Sequence, residues 1–220
     1  MGKLIKTIIW LLSLLSIYSI LYIGLGILWS IGYSSNYERI NTVIINLSYS
    51  YFAGLIFYIF VSYLPYLNRK IKFKPIIQDK INNLYNQINA CVVSFQSDTD
   101  RDLIKDIDYD KLEKLIVSNS MYSKSFYGKQ TGIAMDNFLF LNQTRGRIFS
   151  LIESILQYKE YLPNETIVKI EKIKDSTYLH LIKNYQTTPL MKAIYDSGKY
   201  KKEIAIELFK IIELIKKLKK

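Results

Sequence analysis

The stretch TVIINLSYSYFAGLIFYIFVSYLP, residues 42–65, runs directly into YLNRKIKFK at 66–74, and that change of composition decides how the chain is organised. No charged side chain occurs from Ile40 to Leu67. A helix rises about 1.5 Å per residue, so roughly 20 apolar residues cross a hydrocarbon core of about 30 Å. Residues 42–65 meet that length as one transmembrane helix. Pro65 cannot donate a backbone hydrogen bond and is expected to help end it. Tyr63 and Tyr66 are expected at the inner interface, where amphipathic rings favour the headgroup zone.

Upstream, Thr7 to Tyr37 is a second charge-free run. Its apolar length exceeds that of a signal-peptide core and no small-x-small cleavage site stands out, so it reads as a retained helix over residues 4–31. Trp10 and Trp29 lie 19 positions apart, roughly 28 Å along a helix, as expected of anchors at the two interfaces. Residues 1–67 therefore form a transmembrane hairpin, and 68–220 a separate domain. Lys3 and Lys6 precede the first helix, Glu38 and Arg39 share the connector, and Arg69, Lys70, Lys72 and Lys74 follow the second. Positive residues stay on the cytoplasmic side, so both termini are expected in the cytoplasm and the connector outside. Abundant Lys, Ile, Asn and Tyr with scarce Ala fit an A/T-rich bacterial coding sequence, hence a bacterial inner membrane.

Neither apolar run carries an ionisable Asp, Glu, Lys, Arg or His, which disfavours a pump or charge-driven transporter. Hydroxyl and small residues are frequent instead. Ser16, Ser19, Gly26 and Ser30 share one face of the first helix at 100° per residue; Ser48, Tyr51, Tyr58 and Ser62 share one of the second. Such faces let membrane helices approach and hydrogen-bond. They pack the hairpin on itself, or line a pore, while Ser50 and Gly54 form a small-xxx-small pair suited to a second copy.

The formal charge is +11, of which +9 lies beyond residue 67. Beside a bilayer, this points to anionic headgroups before nucleic acid, against the plainer reading of lysines on solvated helix surfaces. Ile77, Ile81, Leu84, Ile88, Cys91 and Phe95 follow a heptad stripe, with Pro75 suited to the first turn of that helix. A shorter helix is expected at 109–117, a long one at 134–161 ended by Pro163, another from Asn164 to about Leu181, and a last one from about Tyr200. The last carries Ile204, Leu208, Ile211, Ile215 and Leu218 and ends on Lys216, Lys217, Lys219 and Lys220. No run alternates at period two for long enough to require a sheet. The fold class is all-α: a transmembrane hairpin followed by a cytosolic bundle of about five helices. The first stripe serves the bundle core or a coiled-coil dimer. The C-terminal lysines complement the helix dipole or hold an amphipathic helix on the membrane.

Residues 118–132, rich in Ser, Tyr, Lys and Gly, form the longest expected loop and the first place to seek a binding surface. Gly128 and Gly132 lack the following GK[ST] of a phosphate loop. Asp98, Asp100 and Asp102 alternate as a calcium loop begins, but Leu103 and Tyr109 occupy the positions of its required Gly and Glu; the run 106, 108, 110 fails likewise. His180 is the only histidine, and Cys91 the only cysteine, expected to be a buried structural thiol. Glu153 with Glu160, and Glu165 with Glu171, have spacings routine on solvated faces. No catalytic residue, metal site or cofactor is expected.

Tyr49-Ser50-Tyr51, Ile56-Phe57-Tyr58, Tyr63-Leu64-Pro65 and Asn68-Arg69-Lys70 together resemble the second membrane segment of many small bacterial proteins with an N-terminal hairpin. Lys174-Asp175-Ser176-Thr177-Tyr178 is similar to a stretch of their soluble part. The resemblance spans about a fifth of the chain and implies no activity or site residue; by analogy with some such proteins it implies an accessory or antiphage-defence role. The expected function is a membrane-anchored, non-enzymatic interaction or effector protein that forms homo-oligomers or recruits a cytosolic protein. A small oligomeric channel or membrane-disrupting protein is the second reading, and an enzyme on a lipid-linked substrate the third.

Overall fold

The structure is a computed structural model that describes residues 3–21, 35–96, 103–132 and 135–219. Among these residues every regular element is helical, and the only β-type pairing is an isolated antiparallel bridge between Lys124 and Asp136. The chain divides into two compact units, Met1–Ile71 and Lys72–Lys220.

In the first unit, α1 (Lys3–Ser19) packs against α2 (Ser35–Tyr58). The Tyr51 hydroxyl donates to the Ile9 carbonyl at 3.2 Å and lies 3.3 Å from Ser13 Oγ. Ser13 and Ser19 return their own hydroxyls to the carbonyls of Ile9 and Leu15, four residues back. These bonds satisfy hydroxyls that the helix pair partly buries. After α2 the helix does not end. It passes through a π-helical turn, Ile59–Tyr63, closed by the Leu64 N–H on the Ile59 carbonyl, into α3 (Leu64–Val93). Pro65 explains the turn: it has no N–H, and its ring conflicts with the carbonyl of residue 61, so the helix widens there. The expected stop at Pro65 is thus a local widening, and Pro75 lies inside α3 rather than in a first turn.

The second unit has a single hydrophobic core. All six members of the first stripe, from Ile77 to Phe95, are buried in it. So are Ile204, Leu208, Ile211 and Ile215 of α10 (Gly198–Lys219), with Leu218 packed at its margin. Helix α4 (Tyr109–Ser118) lies against α10, contributing Leu112 and Ile116. Its Asp108 N-cap accepts the Lys111 N–H at 2.8 Å, which lowers the pKa of that carboxyl. Helix α5 (Phe126–Thr131) occupies what was expected to be loop; Ser125 caps it by accepting from the Gly128 N–H. Gly132 ends it at φ 72°, a left-handed conformation that only glycine adopts without strain.

The long helix is shorter than its periodicity predicts. Helix α6 spans Asn137–Leu156, capped by Asp136, and a separate 3-10 turn, Lys159–Tyr161, follows. The next expected helix is two, α7 (Asn164–Lys174) and α8 (Thr177–Leu181), with a break at Asp175 and Ser176 that lets Ile173 and Tyr178 both reach the core. Helix α9 (Pro189–Tyr195) has no counterpart in the sequence reading. Helix α10 touches α4, α7, α8 and α9, which makes it the central element of this unit.

Candidate functional site

The apolar helices expose most of their large side chains. Trp10 is 69% exposed, Leu47 65%, Phe57 67% and Phe60 66%. One helix, Thr42–Val93, is long and apolar enough to cross a membrane, and only 6% of its apolar segment is buried. The described apolar part of α1, Ile9–Ser19, is shorter than a crossing. Tyr63 and Tyr66 are exposed, while Trp29, Gly26 and Ser30 lie outside the described residues.

The hydroxyl and small residues separate into two groups. Ser16, Ser19 and Ser48 are buried, and Tyr51 bonds across the helix pair. Ser50 and Gly54 are exposed. Gly54 borders a shallow apolar groove of about 380 Å³, shared with Ile9, Tyr51, Leu55 and Tyr58, and a Cβ at this position would meet no atom within 4 Å. Close approach of α1 therefore does not explain the glycine.

The two basic clusters also differ. Arg69, Lys70, Lys72 and Lys74 are all exposed on α3. In the other cluster, Lys216 Nζ reaches the Ile107 carbonyl at 3.4 Å and Glu213 at 3.3 Å, while Lys219 Nζ stands 3.7 Å over the Tyr85 ring. Lys217 is exposed, and Lys220 lies outside the described residues. Because the apolar stripe of α10 is spent in the core, that helix has none left to lay on a bilayer.

Residues 119–125 are tied down rather than open. Buried Asn137 donates to the Ser120 carbonyl at 3.0 Å and to Ser123 Oγ at 2.9 Å. The Met121 N–H donates to Asp196 Oδ1 at 2.8 Å. Asp196 also pairs at 3.6 Å with buried Lys201, whose ammonium donates to the Asn119 carbonyl at 3.1 Å. The rings of Tyr122, Phe138, Tyr185, Tyr195 and Tyr200 gather beneath, with centroids 4.7 to 6.3 Å apart. Tyr200 donates to the Leu181 carbonyl and Tyr185 to Asp136. Burial raises the phenol pKa of Tyr122 to about 12, and Tyr185 and Tyr200 move the same way for the same reason. The ring contacts and hydrogen bonds together clasp this segment to α6, α9 and α10.

The other titratable groups stand apart. His180 is exposed on α8. Glu153 pairs with Lys174 at 2.6 Å rather than meeting Glu160, and Glu165 and Glu171 are exposed. Asp98, Asp100 and Asp102 fall outside the described residues, and Asp108 caps α4. Cys91 is buried, and desolvation raises its pKa to about 12. The Tyr178 hydroxyl faces this thiol without a hydrogen-bond partner of good geometry.

One surface feature escaped the sequence reading. On α9, Leu190 is 71% exposed and Ile194 46%. The Thr188-Pro189 pair was the available signal, since proline is favoured in the first turn of a helix. Comparison of the chain with family models, with curated proteins and with solved structures finds no match.

Proposed function

We propose that the chain is a membrane-anchored, non-enzymatic interaction or effector protein of the bacterial inner membrane. In this reading α1 and α2 form a transmembrane hairpin, and the unit from Lys72 onward is a cytosolic bundle that meets a partner or further copies of the chain. The observation that carries the reading is the exposure of Leu47, Phe57 and Phe60 on a helix of spanning length. Each large apolar side chain left in water forfeits about 1.5–3 kcal/mol relative to burial. A row of them is stable only where something apolar covers it, and a bilayer covers all sides of such a helix at once. The exposed cluster Arg69–Lys74 supports a cytoplasmic position for that end of the span. The exposed Ser50–Gly54 face supports contact with another copy.

The test is topological. A reporter active only in the periplasm is expected to be silent when fused after Lys220 and active when inserted near Ser35. The protein should also stay with membranes through alkaline carbonate extraction. A periplasmic signal from the C-terminal fusion overturns the orientation, and release by carbonate overturns the anchor.

A further inference from the structure

Six consecutive positions of α3, Arg69 to Lys74, hold four cations and no acid, and all four cations are exposed. Their spacing pairs them by like charge. Arg69 with Lys72, and Lys70 with Lys74, stand three and four residues apart on one helix, where side chains of the same sign are neighbours and repel. None of these four side chains enters an ion pair or hydrogen bond among the described residues, whereas Lys174, Lys201, Lys202, Lys210 and Lys216 each have a carboxylate of the bundle. The next acid along the helix, Asp79, accepts from the Asn83 amide. Nothing on α3 relieves the repulsion within the two pairs.

The two faces of this stretch differ. Phe73 packs into the bundle, its ring centroid 5.1 Å from that of Tyr158 and 5.3 Å from that of Tyr161. The turn that meets it holds one acid, Glu160, beside Lys159, and Glu165 follows in the first turn of α7; both acids are exposed. They leave the cluster with a clear cationic excess. Ile71, two positions before Phe73 and about 160° round the helix, is 70% exposed on the opposite face. The level of the cations is fixed by the helix itself. Leu67 closes the run without charge that begins at Ile40. At about 1.5 Å per residue, Arg69 to Lys74 lie about 3 to 10 Å beyond it, which is the headgroup zone of a helix whose apolar run spans the hydrocarbon core.

We infer that Arg69, Lys70, Lys72 and Lys74 form a collar that binds the phosphates of anionic phospholipid in preference to zwitterionic headgroups. A phosphodiester between the two cations of a pair accepts from both and cancels their repulsion, and the arginine fork meets two of its oxygens at once. A zwitterionic headgroup brings its own ammonium and relieves that repulsion less. Ile71 enters the boundary between headgroups and acyl chains beside them. The inference rests on the anchored reading above and adds to it the class of lipid gathered at the end of the span.

The experiment uses the full chain in phosphatidylcholine vesicles that hold an equal small fraction of nitroxide-labelled phosphatidylglycerol or nitroxide-labelled phosphatidylcholine. A fluorophore is attached to I71C, probed with the nitroxide high on the acyl chain, or to F57C, probed with it deep in the chain; the buried Cys91 does not compete for label. At position 71 the phosphatidylglycerol is expected to quench several-fold more than the phosphatidylcholine, and the preference should fall toward unity as salt rises. K70Q/K74Q and R69Q/K72Q should each lower the preference, and the four substitutions together should abolish it, with quenching by phosphatidylcholine and circular dichroism unchanged. Either orientation in the vesicle brings position 71 to a leaflet surface, so a change of topology does not imitate the result. Equal quenching by the two lipids in the chain with its native charges overturns the inference. A preference that survives all four substitutions overturns it too, because the anionic lipid would then sit on other lysines. So does quenching at 57 with none at 71, which would leave the collar to a protein partner or to water. Position 57 reports the anchor separately: no quenching there sinks the anchored reading itself.

Discussion

Cys91 and Tyr178 couple the core to pH. The thiol has an ordinary pKa of 9.0 and is held at about 12 by burial, and the Tyr178 phenol is raised for the same reason. Their folded-state pKa values lie above the unfolded ones, so the folded chain binds these protons more tightly. The resulting stabilisation is complete below pH 9 and is lost as pH rises from about 9 to about 12. Thermal melts in detergent should therefore show a midpoint insensitive to these groups near neutrality and falling above pH 9, with a shallower fall in Cys91→Ala. The native thiol should also resist maleimide at neutral pH and react once the chain is unfolded. A Cys91 that labels readily in the folded state would contradict its burial. Among the helix caps, Asp136 carries two duties, holding the Leu139 N–H at 2.7 Å and the Tyr185 hydroxyl at 2.8 Å. Losing an N-cap costs about 0.5–2 kcal/mol. Asp136→Ala is expected near the upper end of that range in urea unfolding, because it also strands the Tyr185 hydroxyl.

At the scale of elements, α2 shows what its glycine is not for. A Cβ at Gly54 meets nothing within 4 Å, so an alanine there does not disturb the α1–α2 pair. Any effect of Gly54→Ala on association must come from a surface outside the chain, and Gly54→Leu, whose longer side chain also reaches toward the groove shared with Ile9 and Tyr51, is read beside it. If a second copy packs on the Ser50–Gly54 face, the substitution should weaken self-association by about 1–2 kcal/mol on the scale of model membrane helices, read by energy transfer between labelled copies in bilayers. An unchanged association curve would assign that face to lipid. Helix α10 shows the opposite behaviour: its stripe is wholly consumed inside the unit.

At the scale of the whole molecule, this difference between helices decides where the protein tolerates change. Ile204, Leu208, Ile211 and Ile215 are all buried, at 1% exposure or less. Truncating one such side chain to alanine costs about 2–5 kcal/mol, and a domain's entire stability is about 5–15 kcal/mol. Leu208→Ala should therefore lower the unfolding free energy by about 2–5 kcal/mol. Deleting residues 204–220 should abolish cooperative unfolding of the bundle, measured by circular dichroism in detergent, while, on the proposed reading, the apolar helix still directs the chain to the bilayer. A cooperative transition surviving the deletion would mean that α10 is peripheral.

The sequence by itself determined the all-helical class, the apolar span, and both stripes, Ile77 to Phe95 and Ile204 to Leu218. Each is a one-dimensional pattern, a period or a charge-free length, that physics converts directly into a buried face or an apolar helix long enough to cross a bilayer. It also located the Ser50–Gly54 pair and marked residues 118–132 for attention. Only the tertiary structure decided what those features touch. Pro65 widens the helix instead of ending it because the helix continues beyond it, and no local rule reports that continuation. The helix expected from Asn164 breaks at Asp175 and Ser176 because Ile173 and Tyr178 must both reach one core. Residues 119–125 became a clasp through partners 10 to 82 positions away, among them Asn137, Asp196 and Lys201. The outward face of α9 had no counterpart in the sequence reading, because only packing leaves Leu190, Ala193 and Ile194 uncovered.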